Sequence, residues 1–312
     1  MMQPSRISVI IPTYNRASLI KRALQSVLDQ EYPDLEVIVV DDSSSDNTEE
    51  VVKSLHDERI KFIRHTRNKG ANAARNTGIR AASGEFIAFQ DSDDEWMPGK
   101  LAKQMAAFEQ APADIGVVYT AFWRIEGEKK AYTPAGDVLT TNGFLLEELL
   151  RRNFITTQSI LIKKECLDKV GLFDETMPRL QDWELLLRLS EHYPFLFIDE
   201  PLVKVYHTSD SITANQQALV DALLLMLEKH YAAFTHHPKI LANFYCYIGQ
   251  QLFLAGERSK SLHYCAKALG MRPFYPKFWL VMLTFALGPN LYTKTKRLVL
   301  KGVKFFSRQK RG

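Results

Sequence analysis

Three carboxylates stand within four residues, directly after an apolar run with strand character. Phe86–Phe89 is apolar throughout, and Asp91, Asp93 and Asp94 follow it. A strand buried on both faces of a sheet has this kind of sequence. Open α/β sheets bind ligands beyond the carboxyl ends of their parallel strands, where these acids would lie. Asp91 and Asp93 would point the same way in an extended chain, and two like charges favour a hard cation such as Mg²⁺ or Mn²⁺ between them.

The same stretch also fits a solvated turn that caps the following helix, because Asp and Ser are favoured in turns. We assign Asp94 to that cap, ahead of a helix that starts at Pro98 and runs through Glu109. The ends of the neighbouring strands decide between a turn and a binding site.

Two further predicted strands also end in polar groups. The first spans 7–12, and the turn that closes it consists of Pro12, Thr13, Tyr14 and Asn15. The second spans 35–40 and ends in Asp41 and Asp42. Polar ends on three strands of one parallel sheet predict a shared ligand crevice.

Strand and helix patterns alternate along the first two thirds of the chain. Further strands are expected over 60–64, 115–125, 159–162, 195–198 and 202–206, and helices over 19–28, 46–55, 70–82, 142–152 and 181–189. This alternation predicts an α/β fold with a doubly wound, mixed but mainly parallel sheet and right-handed crossovers. From Asn215 onward only helical patterns remain.

The change of structural class predicts two domains, 1–212 and an all-α region 213–312. Within the second, a helical hairpin over about 242–275 resembles a single tetratricopeptide unit. The positions that carry this likeness are Tyr245, Ile248, Gly249, Leu252, Gly256, Ser261, Cys265, Ala268 and Pro273. A single unit cannot bury its own face, so we expect it to pack against neighbouring helices or the first domain.

Composition places the chain among ordinary globular proteins, with 46% hydrophobic and 24% charged residues in 312. The three cysteines are widely spaced and show no zinc-site pattern, which favours a reducing compartment. We expect no signal peptide and no membrane-spanning segment, and therefore a cytoplasmic protein.

Charge is distributed unevenly along the chain. Segment 294–312 holds eight Lys and Arg and no acidic residue, so residues 1–293 carry 32 basic against 36 acidic side chains, a net of −4. This balance argues against nucleic acid as a partner of the main body. The segment 291–312 also interleaves apolar residues, which fits an interfacial helix on an anionic membrane, although a solvated terminal helix has a similar sequence. The first alternative places the protein at the inner face of the plasma membrane.

Five motifs together resemble family 2 glycosyltransferases of the GT-A fold. They lie within about 7–210, in the order typical of the family. They are Val9-Ile10-Ile11-Pro12-Thr13-Tyr14-Asn15, Val40-Asp41-Asp42-Ser43-Ser44, Asn68-Lys69-Gly70 with Ala74-Arg75-Asn76, Asp91-Ser92-Asp93-Asp94 and Gln181-Asp182-Trp183-Glu184. Any one of these motifs alone would be weak evidence.

The resemblance implies a metal-dependent, hexosyltransferase-type enzyme that transfers a sugar with inversion from a nucleoside diphosphate donor, usually linked to UDP, to a hydroxyl acceptor. A glycan or lipid-linked acceptor in the synthesis of surface polysaccharide or glycoconjugate is expected. The nucleotide-sugar contacts carried over are Pro12, Thr13, Tyr14, Asp42, Arg75, Asp91 and Ser92.

The resemblance also implies the metal ligands and the catalytic base. Asp93 and Asp91 would hold Mn²⁺ or Mg²⁺, with His207 as a further candidate ligand. Asp182 matches the catalytic base, although the acid that usually precedes it in the family is Gln181 here. Trp96 and Trp183 either flank a sugar or pack in the core.

Two other functions remain open at this point. A nucleotidyltransferase that makes the sugar nucleotide would normally carry a Gly-rich basic loop after the first strand, unlike the turn at 12–15. A non-catalytic carbohydrate- or partner-binding scaffold could use the terminal helices, but it would not need Asp91, Asp93 and Asp182.

Overall fold

The chain folds into two compact units, Met1–Ser211 and Ile212–Gly312. The structure is a computed structural model that describes residues 5–136, 138, 141–206 and 215–285. His207 and the basic segment 291–312 lie outside the described residues. Each unit is considered by itself below.

The first unit is built on a mixed sheet. In the described part of the chain its nine strands have the order β3-β2-β1-β4-β8-β6-β9-β5, with β7 paired to β6. The strands are β1 (Ile7–Thr13), β2 (Leu35–Asp41), β3 (Ile60–Arg64), β4 (Phe86–Phe89), β5 (Glu95–Trp96), β6 (Val117–Glu126), β7 (Lys129–Thr133), β8 (Ile160–Lys163) and β9 (Phe195–Tyr206). β3, β2, β1 and β4 run parallel, and β6 and β9 share their direction because β8 is antiparallel to both β4 and β6. The mixed, mainly parallel sheet predicted from the sequence is confirmed.

Helices cover both faces of this sheet. They are α1 (Ile20–Leu28), α2 (Thr48–Lys53), α3 (Ala71–Ala81), α4 (Lys100–Gln110), α5 (Leu146–Arg151), α6 (Lys164–Val170) and α7 (Gln181–His192). On one face, α1 buries Leu24 and Val27 against alternate residues of β1 and β2. On the other face, α3 approaches β1 closely, since a Cβ added at Gly78 would stand 2.4 Å from Ile10 Cγ2. This close approach places the first turn of α3 beside the carboxyl ends of the strands.

Local predictions were wrong in three places. The strands expected over 195–198 and 202–206 form one strand, β9, which bulges opposite Thr120 and Ala121. The helix expected over 142–152 is limited to α5, because Gly143 pairs with Phe195 and the Asn142 side chain accepts from Phe197 N. The helix expected from Pro98 begins at Lys100, since Gly99 adopts a left-handed conformation.

The second unit is helical in its described part, as expected. Its helices are α8 (Gln216–Lys229), α9 (Tyr231–Thr235), α10 (Pro238–Leu254), α11 (Arg258–Met271) and α12 (Pro276–Phe285). α10 and α11 pack closely where Gly249 faces Cys265, because a Cβ at Gly249 would stand 2.5 Å from the Cys265 Sγ. Ser261 Oγ donates to the Gly249 carbonyl at the same crossing, over 2.8 Å. The likeness of this hairpin to a tetratricopeptide unit stays a prediction.

Candidate active site

The carboxylate of Asp91 lies beyond β4 and is held by two side chains. Arg75 Nη2, from the first turns of α3, donates to Asp91 Oδ1 over 2.8 Å. Gln158 Nε2 donates to the other oxygen of Asp91. Gln158 stands in a 3-10 turn (Thr157–Ser159) that leads into β8, so three separate elements meet at this carboxylate.

Asp94 does not cap the helix after the acidic loop, contrary to the sequence prediction. Its Oδ1 accepts from the backbone N–H of Tyr206 over 2.8 Å, and its Oδ2 accepts from Gln158 Nε2 over 2.6 Å. Asp94 is buried, and burial, with Asp91 and Asp93 nearby, raises its pKa well above the ordinary value. It therefore ties the acidic loop to the end of β9.

Asp93 has a pKa that is raised above its ordinary value, and in the described part of the chain no ion pair neutralises its carboxylate. Burial is the main cause of the raised pKa, and the negative charge of Asp91 adds to it, while Arg16 and Arg22 oppose it. Arg22 donates to the backbone carbonyl of Asp93, not to its carboxylate. A cation beside Asp93 would relieve this repulsion, so the pair of Asp93 and Asp91 has the chemistry expected of a hard-metal site.

Arg75 is buried, with only 4% of its surface exposed, although an arginine on a helix face usually reaches solvent. One of its nitrogens bonds to Asp91, whereas Nε and Nη1 are buried and have no hydrogen-bond partner among the described residues. The guanidinium also lies over the Phe173 ring, 5.5 Å from its centroid. Unsatisfied buried donors cost free energy, so these two N–H groups are open to an anionic ligand.

The turns after β1 and β2 hold each other. Asn15 N donates to Ser44 Oγ, and Asn15 Oδ1 accepts from Ser45 N, each over 2.8 Å. Asn15 and Ser43 both have positive φ angles, 50° and 70°, which non-glycine residues rarely adopt. Such strain is maintained where the surrounding structure fixes the turn, as at many ligand sites. Pro12 and Thr13 are buried here, and Tyr14 is exposed beside them.

Asp42, expected from the resemblance to bind the nucleotide base, is buried and already accepts three hydrogen bonds. Lys69 N and Gly70 N donate to its two oxygens over 2.9 and 2.7 Å. His65 Nδ1 lies 2.7 Å from Asp42 Oδ1, and its Nε2 lies 2.9 Å from Thr77 Oγ1. Asp42 thus fixes the loop that leads into α3, and through it the position of Arg75.

Asp182, in the first turn of α7, is oriented by two donors. Asn153 Nδ2 donates to its Oδ2 over 3.0 Å, and Trp183 N donates to its Oδ1 over 2.8 Å. Burial raises the pKa of Asp182 and Asp91 contributes to the rise, while Trp183 N, Arg75 and Asn153 lower it. The preceding Leu180 has a φ of 61°, a further left-handed non-glycine residue at this site. A carboxylate with a raised pKa is suited to general base catalysis.

The structure therefore brings Asp182 within electrostatic range of the ion pair between Arg75 and Asp91, although the three residues are far apart in sequence. Ser92 is buried within the acidic loop. Trp96 and Trp183 are core residues, because their indole N–H groups donate to the carbonyls of Gln158 and Leu149. His207 lies outside the described residues, so its predicted role as a ligand stays a prediction.

Two positioning residues were missed from the sequence, Asn153 and Gln158. Both are uncharged amides in loops, and neither falls within a recognisable motif. Within the described ranges, no cluster of three or more His, Cys, Asp or Glu side chains is arranged to hold a metal. Asp93 and Asp91 supply a pair of carboxylates, to which a bound diphosphate would add oxygens.

Comparison with known proteins identifies the family. The model of glycosyl transferase family 2 matches residues 8–170. A Haemophilus influenzae glycosyltransferase is 30% identical over 229 residues, covering 72% of this chain and 76% of its own. The chain thus belongs to glycosyl transferase family 2.

Two further relatives match over smaller shares of their length. A Rickettsia felis glycosyltransferase is 32% identical over 203 residues, covering 64% of this chain but only 33% of that protein. A UDP-Glc:alpha-D-GlcNAc-diphosphoundecaprenol beta-1,3-glucosyltransferase of Escherichia coli is 47% identical over 100 residues, 32% of this chain and 40% of its own.

Solved structures with 19% identity share the fold. Staphylococcus aureus TarS in complex with UDP-GlcNAc superposes with a TM-score of 0.68, covering 85% of this chain and 81% of that chain. A mannosyltransferase of Pyrobaculum calidifontis in complex with GDP-Man and Mn²⁺ has a TM-score of 0.60, covering 91% and 81%. The GT-A expectation for the fold is confirmed by these neighbours.

Proposed function

We propose that this protein transfers a sugar with inversion from a nucleoside diphosphate donor, in the first instance a UDP-sugar, to a hydroxyl group. The observation that carries the proposal is the grouping of Asp91, Arg75 and Asp182 at the carboxyl edge of the sheet. A metal-linked diphosphate site and a carboxylate base on a separate helix are the two parts that such a reaction needs.

Asp182 is proposed as the general base. Inversion requires an acceptor hydroxyl that attacks from the face opposite the leaving group, and the base must take the hydroxyl proton as the new bond forms. Asn153 and Trp183 N fix the two oxygens of Asp182, which orients the carboxylate before the acceptor arrives. Its raised pKa makes it a stronger base than an exposed aspartate, provided that it is ionised at the working pH.

Arg75 is proposed to bind the diphosphate of the donor. Its free Nε and Nη1 groups are donors in a fork that suits phosphate oxygens. Asp93 and Asp91 would hold Mg²⁺ or Mn²⁺, which when bound neutralises charge that develops on the leaving diphosphate. The Mn²⁺ bound in the mannosyltransferase neighbour agrees with a divalent cofactor. The nucleoside would be lined by the turn Pro12–Tyr14 together with Asp42 and Ser92.

A lipid-linked glycan is the proposed acceptor, in the synthesis of a surface polysaccharide or glycoconjugate. The support is the Escherichia coli relative, which acts on a diphosphoundecaprenol-linked sugar. An acceptor of this kind lies at a membrane, so we also propose that the protein works on the cytoplasmic face, attached through its basic segment 291–312. In the described part of the chain, no helix has both the length and the apolar character to cross a bilayer.

A panel assay tests this function. The protein is incubated with Mn²⁺ or Mg²⁺, UDP- and GDP-sugars and a diphosphate-lipid acceptor analogue, and nucleoside diphosphate release is followed together with the anomeric configuration of the product. We expect acceptor-dependent release of UDP with inversion. The Asp182→Asn variant is the matched control, since it should still bind donor but transfer at least about a hundredfold more slowly.

Other outcomes of the panel would contradict the proposal. Release of pyrophosphate would indicate the nucleotidyltransferase alternative. Absence of both turnover and donor binding would leave the scaffold alternative. Retention of the donor's anomeric configuration, or full activity in the Asp182→Asn variant, would exclude Asp182 as the base of an inverting transfer.

A further inference from the structure

The last described helix, α12, carries large apolar side chains on its inward and on its outward side. Its inward positions Phe278 and Val281 are buried, and Phe285 stacks on Phe253 of α10 with ring centroids 4.1 Å apart. The opposite side is also apolar, although it faces outward. A helix that is apolar all round is normally buried completely, in a protein core or in a membrane.

The outward side of α12 continues into the turn before it. Phe274, Trp279 and Leu283 are exposed to 95%, 54% and 69%, and Leu280 and Met271 are exposed beside them. Trp279 and Leu283 are four residues apart, so they share one helical face. We name the set Met271, Phe274, Trp279, Leu280 and Leu283 the α12 patch.

The polar group of Trp279 is already satisfied inside the protein. Its indole Nε1 donates to the Pro273 carbonyl over 2.7 Å. The exposed part of the ring is therefore purely apolar, which removes the usual reason for an indole to stay at a wet surface. Large apolar groups that remain grouped in water mark an interaction surface.

The charge around the α12 patch identifies the kind of partner. From Arg258 to the end of the chain the sequence contains no Asp or Glu, against five Lys and Arg over 258–285 and eight over 294–312. Lys277 is exposed at the start of α12, and Arg272 precedes the turn. A second copy of the chain would bring like charges together, whereas an anionic surface would complement them.

We propose that the α12 patch inserts into the interface of an anionic lipid bilayer. Phe274, Trp279 and Leu283 would enter the boundary between headgroups and acyl chains, while Lys277 and Arg272 contact lipid phosphates. The described part of α12, Pro276–Phe285, is long enough to lie in an interface. The inference deepens the proposed function, because it gives the enzyme a docking face at the membrane that holds its acceptor.

Vesicle partitioning of the full-length protein tests the proposal. Sedimentation with vesicles of phosphatidylcholine and phosphatidylglycerol is compared with vesicles of phosphatidylcholine alone. The triple variant Phe274→Ser, Trp279→Ser, Leu283→Ser should bind the anionic vesicles about tenfold or more weakly than the unchanged protein. Leu262→Ser is the matched control, because Leu262 is 48% exposed near the other end of α11 and should not affect binding.

A second measurement needs no destabilising substitution. Trp96 and Trp183 are buried and Trp123 is half-buried on β6, whereas Trp279 is exposed, so acyl-chain-brominated lipids should quench the emission of Trp279 most strongly. The Trp279→Phe variant should partition normally and lose most of this quenching. The Asp93→Ala variant should bind vesicles like the unchanged protein. Vesicle binding and the proposed sugar transfer are therefore tested independently of each other.

Three results would overturn the inference. One is equal partitioning of the triple variant and the control, and another is a lack of quenching in the unchanged protein. The third is a dimer in sedimentation velocity that the triple variant dissociates and Leu262→Ser does not, which would make the α12 patch a contact between copies.

Discussion

Asn153 and Gln158 carry no charge, yet each holds a carboxylate on which the proposed chemistry depends. Asn153 donates to Asp182, and Gln158 bridges Asp91 and Asp94 with a single amide nitrogen. An amide donor stabilises the ionised form of a carboxylate without neutralising it, so the group keeps its charge for the reaction. The positions of the acids are therefore set by residues outside the motifs.

Replacing Asn153 should change the pH dependence of transfer. Asn153→Ala removes a donor to Asp182, so the already raised pKa of that carboxyl should rise further. The base must be ionised, so the acidic limb of the kcat profile should move to higher pH while the donor KM stays unchanged. The profile is measured with a saturating acceptor.

Asn153→Asp separates this effect from loosening of the loop. The Asn153 side chain also accepts from Ile155 N over 3.1 Å, and a carboxylate would keep that bond while placing a negative charge beside Asp182. In the Asn153→Asp variant the acidic limb of the kcat profile should move to higher pH than in the Asn153→Ala variant. If only the Ala variant shifts the limb, the effect arises from the loop and the proposed donation is wrong.

Asp93→Ala should abolish metal-dependent donor binding. Burial and Asp91 raise the pKa of both Asp93 and Asp94, but Asp94 already accepts hydrogen bonds from Tyr206 N and Gln158, so Asp93 is the acid expected to gain most from a cation. Titration calorimetry with UDP, with and without Mn²⁺, is the measurement. Glu49→Ala is a control, since that acid pairs with Lys53 and Arg64 at the surface. Unchanged UDP affinity in the Asp93 variant would remove the metal assignment.

The sequence predicted where Asp41, Asp42 and the acids 91–94 lie, because they follow the ends of β2 and β4, which the apolar pattern identifies. They did not predict what each acid does. Asp94 was assigned to a helix cap from its neighbours in sequence, but its partners, Tyr206 and Gln158, are 112 and 64 positions away. Contacts across the sheet depend on strand order and register, which a local pattern does not contain.

At the scale of elements, local sequence was enough to locate the first parallel strands, but it was not enough to predict β9 in the later part of the sheet. Buried parallel strands are continuous apolar runs, so β1, β2 and β4 were located from composition. β9 carries Asp199, Glu200 and Pro201 in its middle, and this polar interruption predicted a break. The structure accommodates it as a bulge against β6, since Pro201 has no N–H to contribute.

α4 begins with a lysine that is fully buried. Lys100 Nζ donates to Gln104 Oε1 over 2.8 Å, and burial lowers its pKa well below the ordinary value of 10.5. Gln104 in turn donates to the carbonyls of Val118 and Ser159. Burial therefore disfavours the protonated form of this amine in the folded protein.

Lys100→Met should remove the free-energy cost of burying this amine. Between the lowered pKa and 10.5 the unfolded lysine binds a proton that the folded one does not, so the stability of the unchanged protein falls as the pH falls. The advantage of the Met variant should therefore grow as the pH is lowered from 10.5 toward the lowered pKa of Lys100. Urea unfolding at several pH values measures the difference.

Lys103→Met is the matched control for this experiment. Lys103 lies on the same helix, is exposed, and pairs with Glu200 over 2.5 Å. Its replacement should give no advantage that increases toward neutral pH. A pH-independent difference for Lys100→Met would mean that Lys100 stays charged in the folded protein.

At the scale of the whole molecule, chemistry and attachment are assigned to different units. The proposed catalytic residues belong to Met1–Ser211, and the α12 patch belongs to Ile212–Gly312. The sequence predicted the second unit as helical but not its outward apolar side. The helical periodicity of this sequence could not show which of its apolar positions would be exposed to solvent.

Deleting 294–312 should remove the salt-dependent part of vesicle binding. The segment holds eight basic residues and no acidic one, so its attraction to anionic lipid weakens as salt is added. The binding that persists at high salt should instead depend on the α12 patch. Partitioning of the deletion and the triple variant is compared across a salt series. Identical salt profiles for the deletion and the full chain would rule out the basic segment as an anchor.

The ion pair between Arg75 and Asp91 has a thermodynamic consequence for ligand binding. A cation that approaches alone must compete with the guanidinium for Asp91 Oδ1, and a nucleotide that approaches alone meets the unscreened charge of Asp93. A diphosphate that accepts from Arg75 weakens the pair and leaves the carboxylate to the cation. Each ligand should therefore raise the affinity of the other by the same factor, and an Arg75→Gln variant should lose that reciprocity.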